Sequence, residues 1–377
     1  MTRKLYYEDS ALLQFEAVVT ACSAVKGGYE ITLDQTAFYP EGGGQPWDTG
    51  KLGEASVLQV TEQGDAVVHL CDRPLTVGTA VQGSVDGQRR LDLMQQHSGE
   101  HILSGIICSK YGASNVGFHV GAQIMEIDFD RLIPPEDLQE LETKANEAIW
   151  QNLPVQCGYP EDPGNYRSKK ELEGPVRIVE VPGYDRCACC GVHVKYTGQI
   201  GLIKIVSMVK FHQGVRLELL CGKRAYDYVA AATEQNRQIS GLLSAKPLET
   251  AAAAKRLTEQ LAAEKFRAAG LEKRLFETVA KNYVNQDRVL HIENGLTPAA
   301  VRELADQIGK VCKTAVVCSG SDEAGYSICI IGQGAKELGE KAAAALNGRG
   351  GGKPEAFQGS LKADRSAITD FLQLQGY

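Results

Sequence analysis

The chain has 377 residues, 43% of them hydrophobic, and a formal net charge of -7. A chain of this length buries a substantial core and has room for two or three domains. The negative balance excludes a uniformly basic surface, so a nucleic-acid partner has to be held by a local patch of cations. No apolar leader follows the opening MTRKLYYEDSALL and no run of eighteen apolar residues occurs, which predicts a cytoplasmic protein without membrane contact.

The first predicted domain, residues 1–90, is a small β-barrel. Between residues 17 and 85 the sequence alternates apolar and polar residues around short turns, as in FEAVVTACSAVKGGYEITL and ASVLQVTEQGDAVVHL. Such alternation predicts half-buried strands, and many short strands joined by turns are typical of a barrel.

The second predicted domain, residues 91–225, combines helices with an antiparallel sheet. An amphipathic helix begins the domain at LMQQHSGEHILSGIICSKYG, and a second helix follows the Pro-Glu-Asp start of PEDLQELETKANEAIWQNL. The predicted strands are QIMEIDFD, VRIVEV, VHVKYT, GLIKIVSMVKF and VRLELLCG. This order of elements indicates an α+β domain.

The last two predicted domains are a helical arm, residues 226–285, and a small α/β domain, residues 286–377. Pro247 interrupts the helical pattern, and the near-heptad positions Leu257, Leu261, Ala268, Leu271 and Leu275, with Glu264 between them, favour a helical hairpin or coiled arm. Two packed helices of a globular domain are the alternative. Beyond residue 286, the strands RVLHIENG, TAVVCSGS and YSICIIGQG alternate with helices over 298–311 and 335–346. The whole chain is thus predicted to be an α+β multidomain protein.

Two pairs of potential metal ligands share a four-residue spacing. His97 and His101 project from one face of their predicted helix, and Cys189 and His193 lie in a turn that feeds a strand. Imidazoles with a thiolate suit zinc better than magnesium or calcium, and an odd count of 11 cysteines without a secretory signal indicates reduced thiols. Cys190 and Cys187 remain alternative thiolate ligands. Core or surface histidines and buried free thiols are the alternative interpretation.

Two glycine-rich stretches suggest close approach to a ligand or to another segment. TAFYPEGGGQPWDTG places three glycines after a strand, and a plain hairpin loop is its alternative. NGRGGGKPEAFQGSL places Arg349 and Lys353 around another glycine triplet. Backbone amides flanked by two cations favour a cradle for phosphate or a single strand, although a flexible surface loop would have the same composition.

Taken together, these stretches resemble the alanyl-tRNA editing proteins of the AlaX type with a C-terminal extension. LDQTAFYPEGGGQPWDTG is similar to the editing-domain signature of alanyl-tRNA synthetases, HSGEH stands at their first zinc pair, and CCGVHV resembles their Cys-Gly-Gly-Thr-His motif. TGQIGLIKIVS with GVRLELLCGKRA resembles the run beyond it. GRGGGKPEAFQG is similar to the signature of the C-terminal domain shared with DHH-type phosphoesterases. Cys190 and Val192 depart from the family's Gly and Thr, so the choice between Cys189 and Cys190 stays open.

The resemblance implies a hydrolase that deacylates tRNA(Ala) charged with serine or glycine, with no aminoacylation domain ahead of the editing domain. It implies one Zn²⁺ per chain, and leaves open whether that zinc is catalytic or structural. The implied zinc ligands are His97, His101, Cys189 and His193. A homodimer through the C-terminal or helical region is also compatible with the resemblance.

Further site residues follow from the resemblance and from local charge. Thr36 matches a position expected to contact the seryl hydroxyl, and Gln45 is a second candidate. Glu41 and Glu100 are candidate general bases, although either carboxylate suits a surface equally well. The candidate cations for tRNA phosphates are Arg89, Arg90, Lys169, Lys170, Arg349 and Lys353.

Two rival functions fit part of the same sequence. Residues 97–101 read H-x-x-E-H, the inverted zincin pattern of a metallopeptidase. That pattern occurs often by chance and leaves Cys189, His193 and the glycine motifs unexplained. A zinc-stabilised tRNA-binding protein without hydrolytic activity would show the same ligands, arm and basic glycine stretch.

Overall fold

The structure, a computed structural model, describes residues 1–162, 164–168 and 174–377. The chain separates into two units, residues 1–238 and 239–377. Each has its own hydrophobic cores. The predicted α+β architecture with antiparallel sheets is confirmed. The predicted division into four domains, with boundaries after residues 90, 225 and 285, stays a prediction, because the described residues separate into only these two units. No helix in the described part of the chain combines the length and apolar character needed to cross a bilayer.

The N-terminal part of the first unit is built from short strands. In chain order its elements are β1 (Arg3–Lys4), α1 (Leu5–Glu8), β2 (Gln14–Val25), β3 (Gly28–Leu33), β4 (Gln35–Thr36), β5 (Gly50–Leu52), β6 (Ala55–Gln63), β7 (Ala66–Cys71) and β8 (Ala80–Val85). Strands β2, β3, β7, β6, β5 and β8 pair in that order, and β8 pairs back to β2, so the ring closes. Alternate residues of β2, namely Phe15, Ala17 and Val19, point into its core.

The rest of the first unit places a long helix beside two small sheets. Its elements are α2 (Gly87–Tyr111), β9 (Asn115–Val120), β10 (Met125–Phe129), α3 (Leu138–Trp150), β11 (Gln156–Gly158), β12 (Ile178–Val181), β13 (Asp185–Ala188), β14 (Ile203–Phe211), β15 (Gly214–Cys221) and α4 (Gly222–Leu242). The sheet orders are β14-β15-β10-β9 and β11-β12-β13, with all neighbours antiparallel. Helix α2 is capped before Gly87 by Asp86, whose side chain accepts hydrogen bonds from the first turn, and after Tyr111 by Gly112, whose φ is 60°.

One predicted strand is wrong. Residues 192–197, VHVKYT, form no strand but an irregular segment that runs into a 3₁₀ turn, Thr197–Ile200. The reason is that side chains occupy its backbone amides: Val194 N–H donates to Ser98 Oγ, and Lys195 N–H donates to Gln199 Oε1. Amides used in this way cannot join a ladder.

The second unit consists of a long helix and a mixed five-stranded sheet. Its elements are α5 (Thr250–Lys281), β16 (Arg288–Glu293), α6 (Pro298–Gly309), β17 (Thr314–Ser321), β18 (Gly325–Gly332), α7 (Ala335–Ala345), β19 (Arg349–Lys353), β20 (Ala356–Leu361) and α8 (Arg365–Leu374). The sheet order is β16-β17-β18-β20-β19; within this sheet β16 and β17 pair in parallel, and the other neighbours are antiparallel. The second glycine triplet therefore lies in an edge strand, and not in the flexible surface loop that was the alternative to a phosphate cradle.

Candidate metal centre and its cavity

The side chains predicted as metal ligands lie together in the first unit. His97 and His101 occupy successive turns of α2, and Cys189 and His193 lie just after β13. One ligand atom of each lies within 4.8 Å of those of the other three. The Sγ of Cys189 is 3.4 Å from Nε2 of His97 and 3.5 Å from Nε2 of His193. Cys190 is exposed and outside this group, so the geometry favours Cys189 as the thiolate ligand.

Each histidine of the cluster is held on its outer side by a hydrogen bond at Nδ1. The three contacts are His97 to Gln45 Oε1 at 2.7 Å, His101 to Asp185 Oδ2 at 2.8 Å, and His193 to Ser98 Oγ at 3.2 Å. When Nδ1 carries the proton, Nε2 is left as the lone-pair atom that faces the cluster. The Nε2 atom of His101 is buried and has no hydrogen-bond partner among the described residues.

These distances fit a tetrahedral zinc ion. Zinc bonds of about 2.3 Å to sulfur and about 2.1 Å to nitrogen place the two ligand atoms about 3.6 Å apart at a tetrahedral angle. The observed separations of 3.4 and 3.5 Å between Cys189 and its two histidine neighbours lie close to that value. The buried Nε2 of His101, which has no hydrogen-bond partner among the described residues, also faces this cluster and would be a further ligand. The residues present therefore fit a zinc ion.

Electrostatics at the cluster favours the thiolate form of Cys189. Burial by itself would raise the pKa of this thiol, but His97 and His101 outweigh that effect and hold the pKa well below its ordinary value. For His193, burial lowers the pKa of the ring to about 3, so it is neutral at pH 7. Burial by itself would lower the pKa of His101, but Cys189 and Asp185 outweigh that effect and raise it well above its ordinary value. A metal ion would therefore displace the proton of His101 on binding, because metals bind thiolates and neutral imidazoles.

Backbone contacts position the cysteine segment against α2. A Cβ atom at Gly191 would lie 2.2 Å from Cε1 of His97, so only glycine allows this close approach. The amide of Gly191 donates to Cys189 Sγ at 3.2 Å. Arg177 donates to the carbonyls of Cys189 and Gly191, both at 2.9 Å, and its guanidinium lies 4.5 Å from the ring centre of Tyr7. These hydrogen bonds from Arg177 and from the Gly191 amide fix the position of the Cys189 side chain.

A cavity of about 400 Å³ opens beside the cluster, and His97, His101 and Cys189 form part of its wall. The rest of the lining combines apolar surface, aromatic rings, cations and one carboxylate; it includes Phe118, Tyr159, Val176, Arg167, Arg177 and Glu100. Gly43 from the first glycine triplet also contributes. The neighbouring Gly44 has φ +85°, and a Cβ there would lie 2.6 Å from the carbonyl oxygen of Phe118. The triplet therefore packs closely against β9 at the cavity, as its glycines suggested.

The two candidate bases are placed differently. Glu100 is 3% exposed and lines the cavity, where its Oε2 is 3.9 Å from His101 Nε2. Glu41 is exposed and does not line that cavity. The structure therefore keeps Glu100 as a candidate for direct contact with a ligand and gives Glu41 no such place.

Thr36 does not reach the cavity. It is fully buried inside the barrel, where its hydroxyl lies 2.9 Å from His69 Nε2 and accepts from the Phe38 amide at 3.1 Å. Burial lowers the pKa of His69 to about 4, so this pair is neutral. Gln45 is buried against His97 and its Nε2 has no hydrogen-bond partner among the described residues. Thr36 thus lies outside the lining of that cavity, and its contact with substrate stays a prediction, whereas Gln45 orients a cluster histidine.

Several predicted tRNA cations have other roles. Arg90 is 1% exposed and forms a buried ion pair with Asp48, so it cannot meet a phosphate, and that prediction is wrong. The physical reason is that α2 turns Arg90 towards the barrel core. Arg89 is half-buried and donates to the carbonyl of Trp47 at 3.0 Å.

The other predicted cations lie at two places. Arg349 and Lys353 are exposed at the two ends of the edge strand β19. They remain available for phosphate, although not in the cradle-like loop that was predicted. Lys169 and Lys170 lie outside the described residues.

The sequence reasoning missed the outer support of His101. Asp185 accepts from His101 Nδ1 and also pairs with Arg167, whose Nε and Nη2 donate to its two oxygens at 3.0 and 2.9 Å. The signal was present in β13, where Asp185 and Cys187 alternate with more exposed residues and share the buried face. An acidic residue at a buried strand position requires a partner, and here the partner is a histidine of the His/Cys cluster.

Three parts of the chain match known protein families. Residues 176–217, which contain the cysteine segment, match the "Threonyl and Alanyl tRNA synthetase second additional domain". Residues 2–89 match "tRNA synthetases class II (A)", and residues 281–375 match the DHHA1 domain. The alanyl-tRNA editing protein Aarsd1-B of Xenopus laevis is 31% identical over 92% of this chain and 88% of its own length. The chain belongs to the alanyl-tRNA editing protein family.

Other relatives extend the comparison. The alanyl-tRNA editing protein Aarsd1 of Mus musculus is 28% identical over 99% of this chain and 97% of its own. Alanine–tRNA ligase of Thermofilum pendens is 31% identical over 97% of this chain, which spans 43% of that ligase. Among solved structures, the C-Ala domain of Aquifex aeolicus alanyl-tRNA synthetase covers 24% of this chain and 90% of its own, at 21% identity and a TM-score of 0.22.

Proposed function

We propose that this editing-family protein is a hydrolase that removes the wrong amino acid from mischarged tRNA(Ala). Its substrates are Ser-tRNA(Ala) and Gly-tRNA(Ala), and it cleaves the ester between the amino acid and the terminal ribose. The observation that carries the proposal is the His/Cys cluster in the wall of a cavity of about 400 Å³. The names of the Xenopus and mouse relatives support the same class of substrate.

The need for such an enzyme follows from the limits of molecular recognition. A pocket shaped for alanine admits glycine and rejects the added hydroxyl of serine only weakly, by roughly a hundredfold. A second site that recognises the error by a polar contact discriminates much better, because the wrong ligand leaves a buried polar group unpaired. A separate editing protein supplies such a second site.

We assign one Zn²⁺ per chain to His97, His101, Cys189 and His193. Zinc held by these four residues would supply a positive charge that helps to orient the ester; a site closed by four protein ligands would leave no open position for a water. The protein's own part is to hold the ligand rings. Gln45 fixes the ring of His97 through Nδ1, and Asp185, braced by Arg167, fixes that of His101.

The mouth of the cavity suits the single-stranded end of a tRNA. Tyr159 lies in the cavity wall with 57% of its surface exposed, and a ring in this position can stack on the terminal base. Arg177, in the same wall, adds a positive charge near the backbone. In the second unit we assign Arg349 and Lys353, both exposed on β19, to phosphates of the tRNA body. A homodimer and a cytoplasmic location remain predictions.

The first experiment is deacylation of Ser-tRNA(Ala), Gly-tRNA(Ala) and Ala-tRNA(Ala), with zinc content measured on the same samples. Cys189→Ala should lose both zinc and activity, whereas Cys190→Ala, its exposed neighbour, should keep both. We expect rapid loss of the seryl and glycyl esters and slow loss of the alanyl ester. A wild-type protein that binds zinc stoichiometrically and cleaves none of the three would reject the proposal.

One observation favours a second candidate. Four protein ligands make a closed metal site, which also suits a zinc-stabilised tRNA-binding protein without hydrolysis. The same deacylation assay distinguishes the two. The metallopeptidase reading has less support, because Cys189 and His193 join the two histidines of the H-x-x-E-H pattern in one cluster.

A further inference from the structure

We infer that Glu100 binds the α-ammonium group of the aminoacyl ester and makes that charged amine a requirement for rapid hydrolysis. The inference rests on the proposed function and names a recognition contact within the same cavity. It goes beyond the metal centre, because Glu100 belongs to neither the ligand set nor its outer supports.

The carboxylate of Glu100 is held rigidly through one oxygen. Oε1 accepts from Ser104 Oγ at 2.7 Å and from Asn115 Nδ2 at 2.6 Å, and those two donors are themselves 3.0 Å apart. All three side chains are at least nine-tenths buried. Oε2 forms no hydrogen bond with the described residues, and its nearest basic group is His101 Nε2 at 3.9 Å. A preorganised acceptor therefore stands in the cavity wall with one oxygen free.

The charges around the cavity point to a cation as the missing partner. Arg167 is paired with Asp185 through two hydrogen bonds, and Arg177 donates to two carbonyls and lies over the Tyr7 ring. The hydrogen-bond partners of Glu100, in contrast, are both neutral. Arg167 and His101 act on its carboxylate through space, His101 Nε2 from 3.9 Å, and neither donates a hydrogen bond to it among the described residues. A buried carboxylate is costly unless a cation or several donors compensate it. The substrate brings one such cation.

The α-ammonium group of an aminoacyl ester would lie close to Glu100 when the ester bond lies beside the His/Cys cluster. In an aminoacyl ester the α-nitrogen is bonded to the carbon next to the ester carbonyl, so the ammonium and the reacting bond enter together. Glu100 directly precedes the ligand His101 on α2, which places its free oxygen beside the cluster. Contact with the α-amine would exclude N-acylated esters, including peptidyl esters, although they contain the same ester bond. The chemical class recognised is thus the free α-amino ester.

The test compares two proteins with two substrates. Wild type and Glu100→Gln are assayed on Ser-tRNA(Ala) and on its deaminated counterpart, in which an α-hydroxyl replaces the amine. The substitution keeps the shape of the side chain and removes its charge. We expect Glu100→Gln to lower kcat/KM for the amino ester by about 10- to 100-fold, as for loss of a hydrogen bond to a charged group, and to change hydrolysis of the deaminated ester by less than about threefold.

Controls separate the possible failures. Zinc content and the free energy of unfolding in urea should be the same for Glu100→Gln and wild type. If Glu100→Gln does not fold, Ser104→Ala, which removes one donor to Oε1, replaces it. Ser104→Ala should lower kcat/KM for the amino ester and not for the deaminated ester, by a smaller factor than Glu100→Gln. Equal losses on both esters would overturn the inference and make Glu100 a base or a structural residue. Equal wild-type rates on Ser-tRNA(Ala) and N-acetyl-Ser-tRNA(Ala) would also overturn it. A wild type inactive on every ester would instead reject the proposed function.

Discussion

Replacing Gly191 by alanine should disrupt the metal centre although Gly191 supplies no ligand atom. A Cβ at this residue would lie 2.2 Å from Cε1 and 2.4 Å from Nδ1 of His97, and 3.1 Å from Gln45 Oε1. Ordinary contact begins at 3.4 Å, so the ring of His97 would have to retreat by about 1.2 Å. Metal–ligand distances tolerate changes of only about 0.2 Å. His97 therefore cannot keep both its ligand position and its hydrogen bond to Gln45.

We expect zinc affinity of Gly191→Ala to fall by about 100-fold or more, at the upper end of the effect of losing an outer ligand contact. Overpacking should cost a further 1–3 kcal/mol or so of folding free energy. The matched control is Gly158→Ala, because a Cβ there meets no atom within 4 Å and its φ is not positive. Competition with a chromophoric chelator measures affinity, and urea unfolding measures stability. Wild-type zinc affinity in Gly191→Ala would refute the close approach of the cysteine segment to His97.

Three other substitutions probe the supports around the site. Asp185→Asn removes the negative charge that accepts from Nδ1 of His101, so zinc affinity should fall by about 10- to 100-fold in the same competition assay. An unchanged zinc affinity would contradict a role of Asp185 in orienting His101. Asp48→Ala leaves the charge of Arg90 buried without its carboxylate partner. The free energy of unfolding measured in urea should fall by about 3–5 kcal/mol, and a fall of less than about 1 kcal/mol would indicate a solvent-exposed pair. Tyr159→Ala should raise KM for charged tRNA by about 5- to 100-fold through lost stacking and leave kcat unchanged. Tyr159→Phe should match wild type, and equal effects of both variants would exclude stacking.

Local spacing in the sequence predicted much of the site. A four-residue separation places His97 and His101 on one helix face by the geometry of the helix alone, and the structure has them on successive turns of α2. Alternation of apolar residues likewise predicted strands such as β14, β15 and β17. The same reasoning failed for residues 192–197, because whether their amides join a sheet depends on Ser98 and Gln199, which reach them from outside the segment.

The sequence by itself therefore determined the residue types of the candidate metal site, their spacing and the helix that carries His97 and His101. Tertiary structure decided the rest: that Cys189 and not Cys190 faces the histidines, that Arg90 is buried while Arg349 is exposed, and that one oxygen of Glu100 remains free in the cavity. These features depend on contacts between segments that local periodicity does not relate. Cys189 and His97, for instance, are 92 residues apart, and only packing brings them to 3.4 Å.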